Sequence, residues 1–392
     1  MEIDYGCYIL LRLGYKNMDK RILIFSTAYY PVVGGAEVAL NELTDRMPSM
    51  RFDLVCARLK KGLADHERIG NVEVYRVGFG YSFDKYLLPI FGPLCALRFA
   101  PEGTAVWSMM ASYAGFASLF YCWMRPSTNL LLTLQEGDPL ETYSRRLGLF
   151  GFLQTWLFKR ANRVQAISRF LGEWAVRAGH RHPVEIIPNG VDIDSFSKPI
   201  SAERRRELRT GLGFTDEDIV LVTASRLSLK NAVDDVIRAL PALSMRVKFL
   251  LIGVGEDEAM LRTLTDELGV NERVVFAGHR SHAELPELLR ASEIFIRPSL
   301  SEGLGNAFLE AMAADVPIIG TPVGGIPDFL ADGQTGILCE PRNPESIVKA
   351  VDRLLAEPGL RSRVVEQGAK LVKDDYDWKK ISKQMKDLLL SL

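Results

Sequence analysis

The chain reads as an α/β protein built from two doubly wound halves in tandem, and three observations predict it. Its 392 residues suit two domains of ordinary size, each able to bury a core of its own. Short, near-continuous apolar runs alternate with helical segments, the pattern of a parallel sheet covered on both faces. That alternation stops at a run rich in turn residues and then begins again.

In the first half the apolar runs are RILIFS (21–26), FDLVCA (52–57), EVYRV (73–77), AVWSM (105–109), LLLTL (130–134) and RVQAI (163–167). The run VEIIPNGVDIDSFSKP (184–199) carries Pro188, Asn189, Gly190 and Pro199 and reads as an interdomain connection. The second half follows with IVLVTA (219–224), VKFLLIG (247–253), RVVFAG (273–278), IFIRPS (294–299), PIIGT (317–321) and GILCE (336–340). Helix starts lie between them: Ser281 with Glu284 forms a capping box, and Asn343-Pro344 pairs an N-cap with proline at the first helical position. One stretch imitates a membrane span, because Gly103–Met124 holds 22 residues without a formal charge. Its texture predicts a short buried strand followed by a small-residue helix that Pro126 closes.

Composition excludes several classes. At 47% hydrophobic and 25% charged, the chain is neither collagen-like, low-complexity nor a disulfide scaffold. A net charge of −1 argues against a nucleic-acid binder. The total hides a division: residues 1–199 carry 23 Lys/Arg against 19 Asp/Glu, a surplus of +4, and the remainder stands at −5. Cys7, Cys56, Cys95, Cys122 and Cys339 have no ligand spacing and fit reduced thiols, and the five histidines form no HExxH, so no metal site is expected. Glu2, Asp4, Arg12 and Lys16 rule out a secretory signal in residues 1–17. Met18 reads as a more natural start, which makes residues 1–17 a flexible extension.

Chemistry collects at the turns after strands. Gly34-Gly35 follows the first strand and precedes a helix, where a backbone can approach an anion; a plain βα turn explains the pair equally well. After the strand at 219–224, Arg226 and Lys230 suit a diphosphate, arginine gripping two oxygens and lysine adding a point charge. Two solvated loop cations are the plainer alternative. Gly253-x-Gly255 lacks the remaining glycine of a dinucleotide fingerprint, and a structural turn fits it as well. The most informative segment is EGLGNAFLE, where Glu302, Gly303, Leu304, Gly305 and Asn306 lead into a helix carrying Glu310. On an ideal helix the two carboxylates stand about 80° apart and share a side. One could bond a sugar and the other a second polyol, while the amides of 304–306 take a phosphate oxygen. A first-turn acid and a solvated loop acid are the bland readings of Glu310 and Glu302.

EGLGNAFLE is similar to the E-x7-E signature of the retaining, family-4 (group 1) glycosyltransferases of GT-B fold. The likeness runs from about Met18 through GGAE (34–37), VQAIS (164–168), IIPNGVDIDSF (186–196), SRLSLKN (225–231) and GTPVGGIPDFLADGQTGILCEP (320–341). The resemblance implies two Rossmann-like domains facing a central cleft. These would be an acceptor-side domain over 18–190, a nucleotide-sugar domain over 191–375, and a last helix (376–392) crossing back to the first. It implies that Arg226 and Lys230 bind the diphosphate, Glu310 the ribose, and Glu302 with the 303–306 amides the donor sugar. Gly34 and Gly35 approach the donor phosphates, Gly253 belongs to the donor side, and the turn holding Arg280 lies near the base. It implies a UDP- or GDP-sugar donor, no cofactor or metal, and no dedicated protein nucleophile; Glu302, Arg226 and Lys230 are the catalytic candidates.

Two departures stand out. Where many relatives have histidine in T-x-H-[DN], this chain reads Thr133-Leu134-Gln135-Glu136. Glutamine cannot exchange a proton near neutrality, so Gln135, Glu136 and Asp138 become acceptor-side candidates without a histidine-assisted step. Asp315 stands where the family usually has glycine, and it is expected to perturb a turn more than the chemistry.

For the acceptor, YSRRLGLFGFLQTWLFKRANR (143–163) interleaves Arg145, Arg146, Lys159, Arg160 and Arg163 with Leu147, Phe150, Phe152, Trp156, Leu157 and Phe158. YLLPIFGPLCAL (86–97) is a second uncharged run. Such surfaces lie on anionic lipid, or else pack as core helices. The expectation is a cytoplasmic enzyme, peripheral on the inner face of the membrane, with a lipid-linked or cell-surface glycan acceptor. Competing readings are a GT-B epimerase or phosphorylase and a non-catalytic two-domain sugar-binding protein. A dinucleotide oxidoreductase is disfavoured by the incomplete GxGxxG.

Overall fold

The computed structural model describes residues 20–138 and 151–392. The extension at 1–17 and residues 143–150 of the basic, aromatic run lie outside them. The described chain forms two compact units. The first holds residues up to Glu136, residues 151–188 and Lys379–Leu392; the second holds 137–138 and Asn189–Trp378.

The first unit is built on an eight-stranded sheet. Its strands are β1 (Lys20–Phe25), β2 (Met50–Ala57), β3 (His66–Ile69), β4 (Val72–Val77), β5 (Ala105–Met109), β6 (Leu130–Leu134), β7 (Arg163–Ala166) and β8 (Val184–Ile186), in the order β3-β4-β2-β1-β5-β6-β7-β8. All neighbours are parallel except β3, which pairs antiparallel with β4. Each of the six apolar runs of the first half forms a strand. The central strands β5 and β6 are buried at every position, as an all-apolar run in a two-sided sheet requires.

Two features depart from the sequence expectation. The β3–β4 hairpin turns at Gly70-Asn71, with Gly70 at φ +54°, a two-residue turn of the Gly-Asn type. The run read as a connection from 184 begins instead as β8, and the connection follows it.

The second unit is built on a six-stranded, wholly parallel sheet: β9 (Ile219–Ala224), β10 (Val247–Ile252), β11 (Val274–Gly278), β12 (Ile294–Arg297), β13 (Ile318–Gly320) and β14 (Ile337–Leu338), in the order β11-β10-β9-β12-β13-β14. Its core gathers Leu221, Phe249, Leu251, Ile294, Ile296 and Ile319 with the helices around them. The order reverses between β9 and β12, and at such a switch point the loops leaving the strands splay apart into a ligand crevice.

The helices used below are α1 (Gly35–Asp45), α2 (Asp84–Ala96), α3 (Tyr113–Met124), α4 (Gly151–Arg160), α5 (Asn306–Ala313) and α6 (Trp378–Leu390). Asn343 caps its helix as read from sequence, accepting from Ser346 N at 3.1 Å. Ser281 and Glu284 do not form a capping box. Glu284 Oε2 accepts from Ser281 N and Oγ at 2.8 and 2.7 Å in a turn that ends before the helix starts at Leu285. The uncharged stretch 103–124 divides into β5 and α3, and no helix among the described residues is long and apolar enough to cross a membrane.

Candidate functional site

The loops leaving β9, β10, β12 and β13 are tied to one another by their backbones. Leu300 N donates to Lys230 O at 2.7 Å, Leu227 N to Val254 O at 3.1 Å, and Gly325 N to Glu302 O at 3.0 Å. Gly253 has φ +135°, and a Cβ added there would run into the Ser225 carbonyl; one at Gly255 would meet the Leu227 carbonyl. Both glycines are thus needed to seat the β10 loop against the β9 loop. The pair therefore has a structural role as a turn at this switch point.

Glu302 lies in the loop after β12, not on a helix. Helix α5 begins at Asn306 with Gly305 as N-cap in the left-handed region at φ +99°, so the ideal-helix angle between Glu302 and Glu310 does not apply. Nor is Glu302 a solvated acid. Its Oε2 accepts from Arg297 Nη2 at 2.8 Å, both side chains are largely buried, and the guanidinium rests over the Phe308 ring at 4.7 Å. Gly303, Leu304 and Gly305 are buried, and no described residue accepts from the amides of Leu304, Gly305 and Asn306. They form the positive end of α5.

Glu310 sits past the first turn of α5, so the helix dipole does not explain it. It is 14% exposed, and its Oε1 lies 3.2 Å from His282 Nε2. The His282 ring packs edge-on against Phe196 at 5.3 Å.

The cations sit differently. Arg226 is exposed and its Nε donates to Glu256 at 2.9 Å. Lys230 is half-buried, and its Nζ donates to Asp138 Oδ1 at 2.9 Å and to Gly137 O at 3.3 Å. Asp138, read from sequence beside Gln135 and Glu136, therefore belongs with the second unit. Arg280 makes a 3.4 Å contact with Glu284.

In the first unit, Gly34 is the N-cap of α1 and Gly35 its first residue, both exposed. Gly34 N donates to Glu37 Oε2 at 2.7 Å, and a Cβ on Gly35 would meet nothing within 4 Å. Gln135 and Glu136 follow β6. Gln135 is partly exposed, whereas Glu136 is 1% exposed and its Oε1 accepts from Ala111 N at 2.6 Å. Among the described residues its Oε2 has no partner, and burial pushes its carboxyl up to about 7.

The sequence model for glycosyl transferases group 1 matches residues 204–389, and that for glycosyltransferase family 4 matches residues 33–195. The two matches lie in tandem, so the chain is similar to the group 1 glycosyltransferases along most of its length. It is 32% identical over 203 residues to an uncharacterized glycosyltransferase of Methanocaldococcus jannaschii, covering 51% of this chain and 52% of that one. It is 32% identical over 240 residues to a GDP-mannose-dependent alpha-(1-6)-phosphatidylinositol monomannoside mannosyltransferase of Mycolicibacterium smegmatis, covering 58% and 62%. The matched region thus spans between half and two thirds of these relatives. Anabaena HepE, solved with UDP and glucose, superposes with a TM-score of 0.80 at 20% identity, covering 95% of this chain and all of that one. Sucrose-phosphate synthase from Thermosynechococcus elongatus gives 0.80 at 18%, covering 94% and 98%. The fold is GT-B.

The departure at Asp315 has a local explanation. The residue is left-handed at φ +56°, where glycine would be unstrained, and its carboxylate accepts from Arg290 Nη2 at 3.0 Å. Three partners escaped the sequence reading: Arg297 for Glu302, His282 for Glu310 and Glu256 for Arg226. Arg297 alone left a signal, as the one charge in an otherwise apolar strand, IFIR.

Proposed function

We propose that this chain is a retaining glycosyltransferase that moves a hexose or N-acetylhexosamine from a UDP- or GDP-sugar to a hydroxyl of a lipid-linked or cell-surface glycan. We place its work at the inner face of the membrane. The observation that carries the reading is the second unit's switch point. There the amides at the start of α5, which donate to no described residue, the Lys230 ammonium and two oriented carboxylates come from loops tied to one another. The activity of the Mycolicibacterium relative, a GDP-mannose-dependent phosphatidylinositol monomannoside mannosyltransferase, supports both a nucleotide-sugar donor and a lipid acceptor. The UDP and glucose held by HepE are compatible with the same donor class.

In this reading the diphosphate replaces Asp138 on Lys230 and draws Arg226 from Glu256. The amides of 304–306 then complete the positive surround that stabilises the departing nucleotide. Glu310 accepts from the ribose hydroxyls and Glu302, its Oε2 held by Arg297, from the donor sugar. Gly34 and Gly35 serve the donor phosphates, Gly253 shapes the donor loops, and Arg280 lies toward the base. Gln135 orients the acceptor hydroxyl by a hydrogen bond rather than by proton exchange. The acceptor attacks on the face from which the nucleotide leaves, which retains the anomeric configuration without a protein nucleophile.

A hydrolysis screen over UDP-, GDP- and ADP-sugars tests this, since slow hydrolysis needs no acceptor. One donor should stand out, and Lys230→Ala and Glu310→Ala should each lower its turnover roughly 10²-fold or more. Turnover untouched in both variants would overturn the site, and sugar inversion at a ring carbon without nucleotide release would favour an epimerase.

A further inference from the structure

Helix α2 is apolar on all sides. Leu88, Gly92 and Ala96 face the core, while Tyr86, Ile90 and Leu94, four residues apart, stand 48–59% exposed. A helix hydrophobic all round is ordinarily buried, so its outer stripe calls for a cover.

The stripe does not stand alone. Helix α3 packs between α2 and α4, and ring contacts tie its two ends to these neighbours, while its residues 114–119 are buried between them. Tyr86 meets Tyr113 at 5.1 Å, Phe120 meets Trp123 at 5.0 Å, Trp123 meets Trp156 at 5.6 Å, and Trp156 meets Phe152 at 5.4 Å. Trp123, Phe152 and Trp156 are each about half exposed. Scattered exposed apolar residues are normal, but exposed aromatic and aliphatic side chains gathered in two patches on three packed helices mark an interaction surface.

Charge selects the partner. The three helices contain a single acid, Asp84, which is buried and accepts from the amides of Phe79, Gly80 and Tyr81 at 2.7, 2.7 and 3.2 Å. Their cations include Lys85, lying over the Tyr86 ring at 5.2 Å, and the exposed Lys159 at the end of α4. The same three helices of a second copy would bring the same cations and no exposed acid to pair them. A bilayer with anionic headgroups offers both an apolar layer for the band and negative charge for its rim. Tryptophan and tyrosine settle at headgroup depth, with one end dry and the other wet.

We propose that the outer faces of α2 and α4, with the two ends of α3, form an aromatic band in two patches on which the first unit lies against an anionic membrane surface. Its purpose rests on the lipid-linked acceptor proposed above; its test does not. The proposal revises the sequence expectation for 143–163. Leu157 and Phe158 of that run are core, Arg160 is engaged by the carbonyls of Pro126 and Thr128, and Arg163 pairs with Glu185 at 3.2 Å. Within the described part of that run, the band takes only Phe152, Trp156 and Lys159.

Flotation of the full chain with vesicles of phosphatidylcholine alone, or mixed equally with phosphatidylglycerol, tests the band. Wild type should float with the anionic vesicles at low salt, with a blue shift of tryptophan emission. The double variant Ile90→Ser/Trp156→Ser should bind at least tenfold more weakly while keeping its circular dichroism and donor hydrolysis. Wild type that stays unbound with both vesicle types, or a double variant that binds as well as wild type, would overturn the proposal. So would a wild-type dimer that the double substitution turns into a monomer without any vesicle binding. Flotation without hydrolysis of any donor would leave the band standing and sink the transfer reading instead.

Discussion

At Gly35 an added methyl group meets nothing within 4 Å, while at Gly253 it would collide with the Ser225 carbonyl. The two glycines, both assigned to the donor, therefore separate by experiment. Gly35→Ala lies at a helix start and should leave the melting temperature within a degree or two of wild type. It should still raise the donor KM if the backbone there approaches phosphate. Gly253→Ala should cost about 2 kcal/mol or more of stability, read from urea unfolding, because a strained φ and a backbone clash add. Glu136 makes a pH prediction. Its carboxyl is raised from 4.5 to about 7 by burial, so the folded chain holds a proton that the unfolded chain releases. The stabilising contribution is complete below about pH 4.5 and is lost as pH rises through about 7. Urea midpoints across that window should fall for wild type, by up to roughly 3 kcal/mol in stability, and Glu136→Gln should flatten the slope. Equal slopes in the two proteins would contradict this account of Glu136.

Helix α5 and the loop before it show what was legible at the scale of elements. The strands could be read because buried parallel strands are continuous apolar runs, as in LLLTL; β3 could not, because His66-Glu67-Arg68-Ile69 is a half-exposed edge. The glycine-rich loop and both of its glutamates were visible in EGLGNAFLE, but what holds those glutamates was not. His282 reaches Glu310 from 28 positions away, and the Ala111 amide reaches Glu136 from 25. Such pairings arise from the sheet order, which periodicity does not encode. The Arg297–Glu302 pair yields a prediction for this element. Removing only the guanidinium, in Arg297→Leu, strands a largely buried carboxylate and should cost about 3 kcal/mol. Replacing both partners, in Arg297→Leu/Glu302→Leu, should restore most of that stability in urea melts while donor hydrolysis stays lost. A double variant that recovered hydrolysis would show that the pair serves folding alone.

Across the whole molecule, a near-zero net charge conceals a first half at +4 and a second at −5, and the chain path is as uneven as the charge. The first unit is discontinuous: it closes only when Lys379–Leu392 returns after the second unit is complete. That last segment is most of α6, whose Ile381, Met385, Leu388 and Leu389 are buried. It is also pinned to the first sheet's starting residues, since Lys20 Nζ donates to Leu390 O at 2.9 Å and Lys386 Nζ to Ser49 Oγ at 3.0 Å. Four buried apolar side chains contribute about 6–12 kcal/mol before entropy, the same order as the stability of an entire domain. A chain ending at Trp378 should therefore lose its first unit and keep its second. Hydrogen exchange would show this directly, with protection gone from β1, β2 and β5 and retained in β9, β10 and β12. Protection of all six strands in the shortened chain would mean that the first sheet holds without α6. The returning segment would then be an attachment to that unit rather than part of its core.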